Sequence, residues 1–318
     1  MIFEWLRNWK ESRDHREIEN AVYKYITPEG IEKIIANRDG PFHLENETRV
    51  LTVMSCGIQN FTLISERLQD DSHILSSFIN EYLAKMLAPV VNHEGTIDNF
   101  LGDRIWAFWN APLDDKRHAS NACQTALEMC AALKQLNQEL LSTHSEIKSH
   151  LPIVNRIGID TGTSRVGNFG FEMRFDYTAI GFSVTKSALL EEWSKKYDVD
   201  ILISEDTREQ SSKFATIEVD LVLPNRFAES IRLHALVGDH KILSDRRFEK
   251  LLKVHNQMLD AYRNRDWVKA SECIKTCREV MHQDWNLSGI YDVFENRIAM
   301  FSITPPPPDW TGVHVIEP

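Results

Sequence analysis

The chain has no run of about 20 consecutive apolar residues, so nothing in it reads as a bilayer-spanning helix. It is short of positive charge: 36 Lys and Arg face 47 Asp and Glu, for a formal net charge of −11. That balance excludes a general nucleic-acid binder, whose affinity comes from clustered basic residues, but leaves room for a local basic pocket. Cysteine is scarce. Cys56, Cys123, Cys130, Cys273 and Cys277 are odd in number and irregularly spaced, which excludes a disulfide framework and points to a reducing, cytoplasmic location. Cys273 and Cys277 share a helical face as a core pair, because no further His or Cys lies at a spacing that would complete a zinc site. The first residues, Met1–Arg13, lack the small-residue cleavage site of a secretion signal. Ile2, Phe3, Trp5, Leu6 and Trp9 there read as an amphipathic helix that packs on its own protein or a dimer mate.

What is present is a globular composition, 42% hydrophobic and 26% charged over 318 residues. Four segments follow. Residues 1–46 form a helical linker, with a start signal at Thr27-Pro28-Glu29. Residues 47–236 alternate strands and helices. Strands are expected at Arg49–Cys56, Thr96–Phe100, Arg104–Trp109, Ile153–Ile159, Val199–Ser204 and Ile231–Val237, the last ending the sheet. Helices are expected from Phe61–Arg67, Ser76–Val91, Ala119–Leu141 and Gly181–Trp193. Leu101-Gly102-Asp103 signals a tight hairpin turn. This order implies an α+β sandwich rather than a doubly wound sheet. Residues 237–304 read as a helical extension with one tetratricopeptide-like hairpin around Asn264-Arg265-Asp266, which must pack on the sheet or on a second copy. Residues 305–318 begin with four prolines and read as a rigid tail laid across the chain's own surface.

Five motifs then occur in register. They are Gly57-Ile58-Gln59-Asn60-Phe61-Thr62, Asn92–Asp103, Ile157–Gly170, Asp176–Gly181 and Ile201–Thr207. Their order and spacing resemble the class III adenylate/guanylate cyclase family. Tyr25–Glu29 is similar to that family's entry segment, and Pro305–Val313 to the endings of bacterial members. The resemblance implies a ferredoxin-like β-α-β-β-α-β fold and a head-to-tail dimer with composite sites at the interface. It implies attack of a ribose 3′-hydroxyl on the α-phosphate of a nucleoside triphosphate. Two metal-bridging Asp residues, a phosphate loop, and an Arg with an Asn at the transition state would support that step.

Set against that pattern, the catalytic positions are largely replaced. Gly57 stands where the first metal Asp belongs. Asp103 keeps the second metal position, followed by Arg104 instead of a small residue. Arg104 is either an internal counter-charge where a metal would sit or a solvent-facing residue. Asn99 replaces the base-reading Lys, and Thr178, its companion, is a variant of adenylate-type members. Thr185 replaces the ribose-orienting Asn, and Leu189 replaces the transition-state Arg. Lys186 is the nearest cation, but it projects about 100° from Thr185 around the helix. The loop at Ile58, Asn60, Phe61 and Thr62 keeps a helix N-terminus for phosphate, with Asn60 crowding it where the family has Gly. A single carboxylate leaves Mg²⁺ or Mn²⁺ to bind weakly, through the nucleotide's own phosphates.

The expectation is therefore a catalytically impaired cyclase-homology protein that acts as a dimeric nucleotide-binding or regulatory module. It would bind ATP or another nucleotide and meet a protein partner through its helical extensions. The alternative is an active adenylate-type cyclase with a non-standard set. That set would draw on Asp103, Asp98 or Asp160 for metal and on Lys186 or Arg165 for charge. His93, Trp106 and Trp109 are read as structural, and Asp70-Asp71 and Asp114-Asp115 as turns.

Overall fold

The computed structural model describes residues 46–68, 72–143, 151–171, 174–225 and 227–316. The N-terminal amphipathic helix, the start signal at Thr27-Pro28-Glu29 and the Asp70-Asp71 turn lie outside the described residues.

The sheet grows from β1 (Glu47–Ile58), buried from Leu51 onward. Its neighbours are both antiparallel: β3 (Arg104–Trp109) on one side and β4 (Asn155–Phe171) on the other. β2 (Thr96–Leu101) closes the hairpin with β3, and the turn glycine Gly102 takes φ 63°, a conformation glycine adopts without a Cβ penalty. Beyond β4 the order continues through β6 (Ile201–Ser204), β8 (Ile231–Gly238), β7 (Ala215–Pro224) and β9 (His314–Ile316). β5 (Arg174–Ile180) pairs with β4 off this path. This is the α+β cyclase-type sheet that the motifs implied.

Helices cover both faces. One face packs α1 (Phe61–Arg67), α2 (Ser72–Asn92) and α3 (His118–Thr143) around Met54, Cys56, Ile157 and Ile159. By length and composition α2 could cross a membrane. Its residues Phe78, Tyr82, Met86 and Val90, spaced i, i+4, are nevertheless all fully buried in this core. The other face packs α4 (Phe182–Lys196) on β1, β4 and β6. Successive residues of β6 divide the two layers: Ile201 and Ile203 join the first core and Leu202 the second.

After β6 comes a short α5 (Glu205–Gln210). The chain after β8 forms α6 (His240–Leu243), α7 (Arg246–Arg263), α8 (Trp267–Val280) and α9 (Ser288–Ile303). Their buried residues form one cluster with Leu190 and Trp193 of α4, with Tyr197 that caps it, and with β7 and β8. The helical pair around Asn264 thus buries its face on the sheet. The proline tail also lies on the chain: Arg265 donates to the carbonyls of Pro307 and Pro308, and β9 pairs parallel with β7.

Three sequence expectations need correction. The strand at Ile153–Ile159 starts two residues later and runs on to Phe171, then returns as β5. Its Gly, Thr and Ser residues look like a loop, yet the ladder to β1 extends as far as Val166. The strand at Ile231–Val237 does not end the sheet, because β8 lies between β6 and β7 and the outer strand is β9. β7 itself was not foreseen, although its ATIEVDLVLP sequence carries the period-2 alternation of a strand.

Candidate nucleotide and metal site

The buried end of β1 meets the β2–β3 turn. There Asp103, largely buried, accepts the backbone N–H of Ile58 at 2.7 Å. Gly57 lies beside it. A Cβ at Gly57 would stand 3.2 Å from Cγ of Arg104, 3.3 Å from Oε1 of Glu191 and 3.4 Å from Oδ2 of Asp103. The Arg104 stem therefore lies over the position where the family carries its first metal carboxylate.

Glu191, on α4, was missed by sequence reasoning. It is only 1% exposed, accepts the Ser55 hydroxyl at 2.9 Å, and sits 3.7 Å from Nη2 of Arg104 and 3.9 Å from Nζ of Lys195. The available signal was position: Glu191 falls four residues after Ser187 and one after Leu190, on the buried stripe of α4. Burial raises the Glu191 carboxyl above its usual range; the Ser55 bond, Arg104 and Lys195 oppose this, and Asp103 adds to it. Burial likewise raises Asp103, against the Ile58 N–H and Arg104.

These residues do not fit a bridging metal pair. Two carboxylates are matched by two cations, and the oxygens they expose are already engaged by Ile58, Ser55, Arg104 and Lys195. Among the described residues no group of three or more His, Cys, Asp or Glu could hold a metal ion. Of the two sequence readings of Arg104, the counter-charge is closer: its head lies at the ion cluster while its side chain stays 45% exposed.

The loop expected to meet phosphate runs from Ile58 into α1. Asn60 caps α1 in the left-handed conformation, φ 59° and ψ 30°, which Asn tolerates better than most residues. Gln59 pins the loop from behind, with its N–H on the Val154 carbonyl and its Oε1 accepting Nε of Arg156. A cavity of about 350 Å³ opens beside the loop, lined in part by Gln59, Asn60, Leu63 and Arg156. Phe61 approaches the hairpin, 3.8 Å from a Cβ built at Gly102, and Thr62 is exposed.

The positions expected at the transition state lie on α4. Thr185 is exposed on the first turn of α4. Leu189 is half-buried against the core shared with β7, β8 and α7–α9. Lys186 is not free to replace an Arg: its ammonium lies 2.9 Å from the buried Asp160 and 3.5 Å from Asp206. Arg165 is exposed on β4, paired across the ladder with Thr48 and Ile180. Within the alternative set, Asp160 and Lys186 are paired with each other.

At the base-reading positions, Asn99 is exposed on β2 and its Oδ1 accepts the Phe100 N–H at 2.8 Å. The β2–β3 register shifts between Ile97 and Asn99, which makes Asp98 the unpaired residue of a bulge. Burial pushes Asp98 up to about 6, opposed by Thr178 of β5 and reinforced by Asp176. His93 and Trp109 are structural, as expected, with the indole N–H on the His93 carbonyl.

Residues 44–222 match the model of the adenylate and guanylate cyclase catalytic domain. The chain belongs to this family. It is 37% identical over 155 residues to adenylate cyclase 1 of Rhizobium meliloti, covering 48% of this chain and 22% of the relative. It is 26% identical over 281 residues to the terminal-differentiation-specific adenylate cyclase of Dictyostelium discoideum, covering 85% of this chain and 12% of the relative. The second match runs past the family domain into the helical extension. The chain thus spans well under half the length of these relatives. Among solved structures, the adenylyl cyclase CyaB of P. aeruginosa aligns at TM-score 0.55 and 29% identity, covering 62% of this chain and 97% of that one. The guanylyl cyclase Cya2 aligns at TM-score 0.53 and 28% identity, covering 61% and 94%.

Proposed function

We propose that this chain is a catalytically impaired member of the cyclase family. It acts as a dimeric nucleotide-binding or regulatory module in cyclic-nucleotide signalling. The observation that carries this reading is the replacement of the metal pair by an ion cluster, with the Arg104 stem over Gly57 and both cations on Glu191. Leu189, packed into the core instead of offering a guanidinium, supports it. Loss of one preorganised electrostatic donor typically costs roughly 10²–10³ in rate. Here a carboxylate, an Asn and an Arg are absent together, and a composite site formed with an intact cyclase chain would still carry one of these gaps.

The phosphate loop and the base-reading edge remain as a binding surface for ATP or another nucleotide, with Mg²⁺ or Mn²⁺ carried by its phosphates. Dimerisation is supported by apolar side chains left exposed at Phe100 and Leu101 on the hairpin, Ile180 before α4 and Phe182 at its start. The helical extensions supply surface for a protein partner. A cytoplasmic location is consistent with five unpaired cysteines.

The test is paired: calorimetric titration of the purified chain with a non-hydrolysable ATP analogue, and cyclic-nucleotide formation from ATP and GTP with Mn²⁺. The expected result is saturable binding with turnover several orders of magnitude below that of an intact domain. Product at ordinary family rates would overturn the impairment. Absence of binding heat would overturn the nucleotide-binding half.

A further inference from the structure

We propose that the crevice between α3, the sheet and the helical extension is a binding site for a small aliphatic ammonium, held by the Asp200 carboxylate. The crevice shares no residue with the Gly57 corner or the loop into α1, so the proposal stands apart from the nucleotide reading.

The cavity measures about 160 Å³. Leu127, Cys130, Ala131 and Lys134 of α3 form one wall, at the i, i+3, i+4, i+7 spacing of a single helix face. Residues 199–201, leading into β6, and 235–237 of β8 form the second. The connection from α8 to α9, residues 284–287, closes the third side. The match to the cyclase domain ends at residue 222, so β8 and that connection come from chain beyond it.

The chemistry follows from a half-used carboxylate. Oδ1 of Asp200 accepts Nδ2 of Asn286 at 2.9 Å, and Nη1 of Arg156 stands 3.9 Å from the same oxygen. Oδ2 has no hydrogen-bond partner among the described residues. Arg156 is not available to supply one, because its guanidinium already serves Gln59, the Val199 carbonyl and Asp198. Of the ionised side chains that line the cavity, Lys134 is the one cation, against Asp200 and Asp284. Lys134 and Asp284 are exposed and solvated by water. Burial raises the Asp200 carboxyl against Asn286, Arg156 and Lys134, as expected of an anion short of donors.

An ammonium supplies the N–H groups that Oδ2 lacks, whereas an anion would face two carboxylates. Leu127, Ala131, Leu236 and Trp285 give a short alkyl chain an apolar wall. An apolar cavity of about 150 Å³ holds a benzene-sized molecule, so an ammonium of about four carbons fits. Such a ligand would touch α3 and the sheet on one side and the α8–α9 connection on the other. Its binding would hold the extension against the domain.

The test is a ligand-observed NMR titration of the full chain at neutral pH with n-butylammonium, alongside n-butanol and butyrate as probes of the same length. The amine is protonated there, as a lysine side chain is. The ammonium is expected to bind about tenfold or more tightly than the alcohol, the scale of one charge-assisted hydrogen bond, and more tightly than butyrate. Asp200→Asn keeps an acceptor for Asn286 and should bring ammonium and alcohol to equal affinity. Ala131→Leu is the second variant: Leu suits an exposed helix position, so the chain should fold, and its side chain should fill the cavity and abolish binding of both.

No binding of n-butylammonium, equal affinity for the alcohol in the unaltered chain, or tighter binding of butyrate overturns the proposal. Ammonium binding untouched by both substitutions overturns it as well, by placing the ligand elsewhere on the chain.

Discussion

Around Gly57 the missing carboxylate has been answered by a change next door. The Arg104 stem packs over the glycine, and its guanidinium joins Lys195 beside the buried Glu191. On the proposed reading, this internal charge stands in for a metal pair. Gly57→Asp alone would press a third carboxylate against Asp103 and Glu191. In EDTA that crowding is expected to destabilise the fold by about 2–4 kcal/mol, as an uncompensated buried charge does. Mn²⁺ should then raise the melting temperature of the variant while hardly moving that of the unaltered chain. A variant as stable as its parent and indifferent to Mn²⁺ would refute this account of the cluster.

At the scale of the element, α4 packs closely on the sheet, and the proposed impairment turns on it. Its buried residues are Ser183, Ser187, Leu190, Glu191, Trp193 and Ser194, and the small serines let the helix settle directly on β4. The contact is tightest at Gly158, where a Cβ would lie 2.1 Å from the Ser187 carbonyl oxygen and 2.2 Å from the Glu191 nitrogen. Neither is the movable end of a side chain, so Gly158→Ala must lift the whole helix. The expected cost is about 3 kcal/mol or more, at the upper end for overpacking, read as a lowered urea midpoint. A midpoint unchanged from the parent would show that α4 can slide without penalty. Helix position matters to the proposed function because Glu191 rides on the same turn.

At the scale of the whole molecule, the helical extension is tied to the sheet by polar groups as well as apolar ones. Arg297 of α9 donates to Asp220 of β7 at 2.7 Å, and Tyr197, at the end of α4, donates to the same carboxylate at 2.5 Å. Both charged partners are almost fully buried. Removing one partner of such a pair strands the other. Arg297→Ala is therefore expected to cost about 3–5 kcal/mol and to lower a single unfolding transition seen by all probes. The paired replacement Asp220→Asn with Arg297→Met should recover much of that loss. Separate melting of the extension, with the sheet transition unmoved, would show that the two unfold independently.

The local chemistry was legible from the sequence. Residue types at the five motifs, the hairpin at Leu101-Gly102-Asp103, and the helical periodicity of α2, α3 and α4 all depend on near neighbours. They identified the fold and the family. Tertiary structure decided what individual residues meet. Glu191 reaches the Gly57 corner only because α4 crosses the end of β1, and Lys186 is occupied only because Asp160 faces it from β4. The long β4–β5 hairpin and the tail strand β9 were hidden for the same reason. Their polar, Gly-rich or Pro-flanked sequences have weak strand preference, and hydrogen-bond partners far away in the chain hold them extended.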